Sequence, residues 1–151
     1  MSTISIGLNA DHGYVILAGA AVGVLTNWQA WLVGHERKKA GINYPQYYAE
    51  KAEMESSKAA KIFNCVQRAH GNTMEHVPII LSCLAFNGLF QPRVSAGITG
   101  VWVLSRFLYT LGYRTGEPNK RTRASFGGCL LSPVLVGLAI YNGVQVVLSG
   151  F

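Results

Sequence analysis

Apolar residues fall in four long blocks separated by short polar breaks. Tyr14 to Val33 is 20 residues without a charge, about the length an α-helix needs to cross a hydrocarbon core of roughly 30 Å. Ile62 to Phe90 is long enough to do the same but is divided: its first half carries Arg68, His70, Asn72, Glu75 and His76, and the half beyond Pro78 has no charge. Val94 to Tyr113 is apolar apart from Arg106. A fourth span is expected over 124–149, in an uncharged run that continues to Phe151, with Pro133 placed to kink it. Gln91-Pro92-Arg93 reads as a tight turn, and His35 to Lys61 and Arg114 to Arg123, the latter containing Gly-Glu-Pro-Asn, read as polar loops. With no Pro/Ser-rich linker and no repeat, residues 1–151 form one domain, and the fold class is all-α: an integral membrane four-helix bundle.

Composition agrees. Half of the residues are apolar, 13% are charged and 17 are Gly, a balance poor in surface charge for a water-exposed domain. The net charge of +6 does not point to nucleic acid, because the basic residues lie between apolar runs instead of forming one stripe. They do orient the bundle. Arg37, Lys38, Lys39, Lys51, Lys58 and Lys61 lie on the first loop, and Arg114, Lys120, Arg121 and Arg123 on the third, against Arg93 alone on the second. Lys and Arg are retained on the cytosolic face, so loops one and three are expected there. The N-terminus lacks a basic region and a small-residue cleavage site, so the first apolar block reads as a retained span. Cys65, Cys83 and Cys129 have neither zinc spacing nor an even count and are expected to be reduced and structural, with no metal site.

Arg68 and Arg106 remain inside spans. An arginine at the centre of a span costs about 2.5–3.5 kcal/mol on insertion scales, so each asks for a reason. Arg68, Asn72 and Glu75 are spaced i, i+4, i+7, which at about 100° per residue confines them to an arc of roughly 60°. Arg106, Tyr109 and Tyr113, at i, i+3, i+7, form a second stripe on the antiparallel third span, with both arginines about 9–12 Å from their cytosolic ends. Two readings stand at this point. The stripes lock helix register through a salt-bridge network, or they bind a polar ligand bearing carboxylates, amides and an ammonium group, a set that glutathione has. A thiol with a pKa near 8.5 also needs a cation to become a thiolate at neutral pH. Arg121, at the mouth of the fourth span, is the candidate, although by position alone it also reads as an ordinary flanking residue.

The segment Phe63-Asn64-Cys65-Val66-Gln67-Arg68-Ala69-His70-Gly71-Asn72-Thr73-Met74-Glu75 resembles the second-helix signature of the MAPEG family, membrane-associated proteins in eicosanoid and glutathione metabolism. Together with Arg106-Phe107-Leu108-Tyr109-Thr110-Leu111-Gly112-Tyr113 and Thr115-Gly116-Glu117-Pro118-Asn119-Lys120-Arg121, it is most similar to the type 3 microsomal glutathione S-transferases. The resemblance implies a homotrimer in the endoplasmic reticulum membrane, with glutathione bound between subunits near the cytosolic surface and an acceptor groove open to lipid. The implied glutathione contacts are Arg37, Arg68, His70, Asn72, Glu75, Tyr109 and Tyr113, with Arg121 as the thiolate-stabilising catalytic arginine and Lys38 at a basic position on the acceptor side. The chain departs from the leukotriene-conjugating synthases in three places. His76 replaces a glutathione-contacting tyrosine, Lys38 replaces an arginine, and the loop after Tyr113 is one residue longer, so that either Lys120 or Arg121 faces the sulfur.

The implied activity is conjugation of glutathione to lipophilic electrophiles such as epoxides or reactive alkenes, with glutathione-dependent reduction of lipid hydroperoxides as a second use of the same site. The alternative is a non-catalytic lipid-binding or scaffold protein of the same family, a branch without the thiolate-stabilising arginine. A transporter or channel is disfavoured because Val77 to Phe90 has no charge to continue a polar path.

Overall fold

The computed structural model describes residues 7–125 and 128–149. The side chains at 123, 124 and 129 lie outside that description, and with them the expectation for Cys129. Four long helices are α1 (His12–Ala40), α3 (Lys58–Phe90), α4 (Pro92–Arg114) and α6 (Leu131–Leu148), and each is long and apolar enough to cross a membrane. Two short helices complete the set, α2 (Lys51–Ser56) in the first loop and α5 (Lys120–Ala124) in the third. The described residues hold no strand, so the all-α four-helix membrane fold expected from the sequence is the observed one.

Local chemistry sets the ends. α1 runs two turns past its apolar block and stops at Gly41, whose φ of 68° is the left-handed conformation that favours glycine. Ser57 caps α3 by accepting from the Ala60 N–H at 3.3 Å. α3 gives way to α4 at Gln91, because Pro92 at the start of α4 cannot continue the preceding ladder but suits a first turn. The fourth span differs from expectation. Its helix begins at Leu131, not at 124, after α5 and a tight 3₁₀ turn over Gly128–Leu130. Pro133 therefore sits in the first turn of α6, where its missing N–H would have had no partner, and has no ladder to kink. An uncharged run reveals hydropathy but not where a turn interrupts it.

The bundle buries polar side chains around an apolar core and turns many large apolar ones outward. α1 packs on α3 and α4, and α6 lies against α3 and α4. Val22, Leu25, Ile80, Cys83, Trp102 and Leu135 form the central core. Around it Gln29, Thr73, Asn87, Ser95, Thr99 and Thr110 are fully buried, while Ile16, Leu17, Val24, Leu104, Ile140 and Val147 face outward. That arrangement suits a lipid surround, in which outward apolar side chains cost nothing and helices gain from small and polar contacts between them. Gln29 donates to both Thr73 (3.0 Å) and Thr110 (2.7 Å), tying α1 to α3 and α4 at one depth. Asn87 donates to the Leu135 carbonyl at 3.0 Å and accepts from Asn142 at 3.1 Å, fixing α6 against α3.

Candidate functional site

Helical spacing delivers the two polar stripes, and the Gln29 tie holds α3 and α4 in the register that joins them. On α3 the Arg68 Nη1 donates to Glu75 Oε1 at 3.0 Å, and Asn72 Nδ2 donates to Glu75 Oε2 at 3.2 Å. Across the helix pair, Arg106 Nη1 of α4 donates to Asn72 Oδ1 at 2.7 Å. Asn72 thus links a carboxylate and a guanidinium through the two ends of one amide. Arg106 is buried, with its guanidinium carbon 5.5 Å from the Trp102 ring and 5.3 Å from the Tyr109 ring. The stripe then continues toward the end of the bundle that carries the basic loops: Tyr109 and Tyr113 meet edge to face at 5.1 Å, and the Arg121 guanidinium carbon lies 5.4 Å from the Tyr113 ring.

Arg121 owes its place to a glycine. A Cβ on Gly112 would lie 2.7 Å from the Lys120 carbonyl oxygen and 3.0 Å from the Arg121 Cα, both backbone atoms. Only glycine lets α5 rest on α4 so closely. Arg121 Nη1 is also held by the Pro118 carbonyl at 2.9 Å. Lys120 turns elsewhere and pairs with Glu117 at 2.9 Å, so of the two basic residues left open by the loop length it is Arg121 that reaches the tyrosines. Gly112→Ala should displace α5 while leaving the four spans intact. We expect unchanged helical circular dichroism and faster tryptic cleavage around Lys120 and Arg121, since a displaced α5 no longer rests on α4.

Two of the expected contacts lie apart from this cluster within the chain. His70 is two residues from Arg68, about 200° around the helix; it is half-buried, and its Nδ1 has no hydrogen-bond partner among the described residues. Arg37 is buried at the end of α1. Its Nη1 donates to the Gln46 carbonyl at 2.6 Å and its Nη2 to the Tyr47 carbonyl at 3.4 Å, and its guanidinium carbon lies 4.5 Å and 4.6 Å from the Tyr44 and Phe63 rings. Lys38 is exposed and borders a shallow hollow with Arg37 and Tyr44, away from the stripes.

What Arg37 holds is a strap that spacing along the chain did not reveal. The first loop folds back over the N-terminal end of α3, pinned by Asn64, whose side chain accepts from the Ala49 N–H at 2.7 Å and donates to the Ala49 carbonyl at 2.8 Å. The strap brings the Tyr47 hydroxyl to about 4.0 Å from where a Cβ on Gly71 would stand, on the stripe face of α3. It also brings Tyr48 to Arg68. Partial burial pushes the Tyr48 phenol above its ordinary pKa, the neighbouring Tyr47 adds to this, and Arg68 opposes both through its charge and a hydrogen bond. The paired aromatics and the Asn64 in the second-helix signature were visible in the sequence, but a loop's tertiary fold has no periodicity to announce it.

Cavities adjoin α4 on more than one side. A polar one of about 190 Å³, lined by Asn72, His76, Ser105, Arg106, Tyr109, Ser125 and Gly128, lies behind the stripe. An apolar groove of about 580 Å³ between α1 and α4 is lined by residues including Val24, Trp28, Gly100, Leu104 and Phe107 and opens outward. By helical spacing the groove faces a side of α4 well over 90° from the stripe. No cluster of three metal-ligating side chains occurs among the described residues. The model of the MAPEG family matches residues 15–141, from the first span into α6.

Proposed function

The chain belongs to the MAPEG family, and on that footing we propose that it is a membrane glutathione transferase that joins the glutathione thiolate to lipophilic electrophiles and reduces lipid hydroperoxides at the same site. The observation that carries this reading is the continuous run from Arg68 and Glu75 through Asn72 and Arg106 to Tyr109, Tyr113 and Arg121. Its groups match glutathione in kind. Guanidinium groups bind carboxylates, a carboxylate binds the ammonium group, and an amide and phenols bind peptide groups. The run ends on a cation, Arg121, the kind of group that a thiol needs to ionise at neutral pH.

The chemistry asked of the protein is modest. Arg121 stabilises the thiolate over the thiol. Lowering a thiol from pKa 8.5 by about two units takes roughly 2.7 kcal/mol of preferential stabilisation, within the range of one partly desolvated arginine. The stripe fixes the peptide so that its sulfur meets an acceptor arriving from the bilayer. A scaffold role in the same family would have no need of Arg121 against Tyr113, which favours the enzyme.

Exposure supports assembly. The Arg68 and Glu75 side chains are 51% and 54% exposed in one subunit, and an ion pair left half open to lipid is expensive. That supports a homotrimer in which a neighbouring subunit covers the stripe and brings its own Arg37 and His70 to glutathione from the other side. Ten loop lysines and arginines at one end of the bundle support a site facing the cytosol from the endoplasmic reticulum membrane. The test is turnover of purified protein in detergent with glutathione and chlorodinitrobenzene. The expected result is a saturable rate in the parent that collapses in Glu75→Gln; glutathione binding with no turnover of any electrophile would favour the lipid-binding reading instead.

A further inference from the structure

The polar cavity behind the stripe contains a histidine that the thiolate chemistry does not use. His76 is half-buried on α3, one turn deeper than Asn72 and next to the uncharged half of that span. Its Nδ1 lies 2.9 Å from the Asn72 carbonyl oxygen. A backbone carbonyl only accepts, so Nδ1 carries the proton, and Nε2 is the ring nitrogen left to exchange one. Arg106 and Tyr109 of α4 line the cavity with His76, and the segment between α5 and α6 contributes Ser125 and Gly128. Glu75, the preceding residue, is engaged by Arg68 and Asn72. At about 190 Å³ the cavity has the room of about six water molecules, enough for a hydroperoxide or epoxide head and its first carbons.

Resting on the transferase reading above, we propose that this cavity receives the oxygen of the acceptor and that His76 is the catalytic acid that protonates it. The location fits. The sulfur lies at the Tyr113 and Arg121 end of the run, Tyr109 joins that end to the cavity, the lipophilic acceptor comes through the bilayer, and His76 lies on the bilayer side of Asn72. With a hydroperoxide, the thiolate sulfur attacks the distal oxygen, the S–O bond forms and the O–O bond breaks. The departing alkoxide, stabilised by the Arg106 guanidinium, takes the proton from His76 Nε2, directly or through one water. The products are an alcohol and glutathione sulfenic acid, and a second glutathione converts the latter to the disulfide and water. His76 regains its proton from solvent, to which the first thiol released one on becoming a thiolate. With an epoxide, an S–C bond forms, the C–O bond breaks, and the alkoxide takes the same proton.

This assigns His76 a role only where oxygen leaves or is freed, and that gives the test. Chlorodinitrobenzene expels chloride, which needs no proton. In His76→Asn the side-chain amide keeps a donor for the Asn72 carbonyl and loses only the Nε2 end of the ring; His76→Gln serves as a second variant. Purified full-length protein in detergent is assayed with glutathione and either cumene hydroperoxide or chlorodinitrobenzene, and glutathione thiolate absorbance is read in parallel. The expected result is a fall of about 100-fold in hydroperoxide reduction, chlorodinitrobenzene conjugation within about twofold of the parent, and an unchanged thiolate band. Equal loss on both acceptors would overturn the assignment and make His76 structural, as would unchanged hydroperoxide reduction. A parent that binds no glutathione would remove the transferase reading itself, a different failure that the thiolate band identifies.

Discussion

Replacing Arg121 with alanine is expected to lower kcat/KM for a lipophilic electrophile by about 25-fold at pH 7, the ratio of thiolate fractions for thiols with pKa values about two units apart, near 6.5 and 8.5. The loss should itself depend on pH. Without the guanidinium the bound thiol returns toward its ordinary value near 8.5, so the thiolate fraction, and with it the rate, climbs about tenfold per unit between about pH 6 and pH 8. In the parent, with the thiol near 6.5, most of it is ionised above that pH, and the rate rises only about fourfold over the same range. The two curves converge as pH approaches 8.5. Glutathione affinity should change little, because Arg121 sits at the sulfur end of the run, against Tyr113, and not among the groups that hold the peptide. A pH profile in Arg121→Ala parallel to the parent's would remove Arg121 from thiolate stabilisation. Lys120→Ala is the companion variant, and it should keep the parent's shallow profile because Lys120 is occupied with Glu117.

The second large effect belongs to Asn72. Its amide donates to Glu75 and accepts from Arg106, so Asn72→Leu removes two hydrogen bonds to charged groups and leaves a buried guanidinium beside a methyl group. Hydrogen bonds to charged partners are worth about 1.5–3 kcal/mol each. Glutathione affinity, measured by calorimetry in detergent, should therefore drop at least about 10-fold and up to about 100-fold, with a lower melting midpoint. Asn72→Asp separates the two roles. It keeps the acceptor for Arg106 and places a second carboxylate against Glu75, so it should retain the fold better than leucine while still failing to bind. Undiminished binding in Asn72→Leu would mean that glutathione does not occupy the stripe.

Much of this was legible in the chain, and for identifiable reasons. A charge-free run of 20 residues has few fates other than a span, and the four spans appear as helices with ends moved by one turn or two. Arg68, Asn72 and Glu75 share a face because the helical period requires it, and equal depth on antiparallel helices was enough to expect α3 and α4 to bring their stripes together. The Asn72 to Arg106 contact is that expectation realised. What the sequence hid were features without a period. The start of α6 at Leu131 is invisible to hydropathy, since neither the turn before it nor the helix carries charge. The strap over Arg68 depends on Asn64 and Arg37 gripping backbone carbonyls and an N–H, and such bonds leave no trace in spacing. Arg37 was expected at the ligand through resemblance alone, and within one subunit it holds the strap. His76 was noticed as a departure from a tyrosine, but its protonation pattern came only from the 2.9 Å approach of Nδ1 to the Asn72 carbonyl.

All of these expectations depend on glutathione binding in the stripe as a thiolate. The most direct test is an ultraviolet titration of the purified protein in detergent, reading thiolate absorbance as glutathione is added at neutral pH. The account predicts a band that rises and saturates in the parent and is absent in Arg121→Ala at concentrations where both bind glutathione. A parent that binds glutathione without the band, or does not bind it, would contradict it.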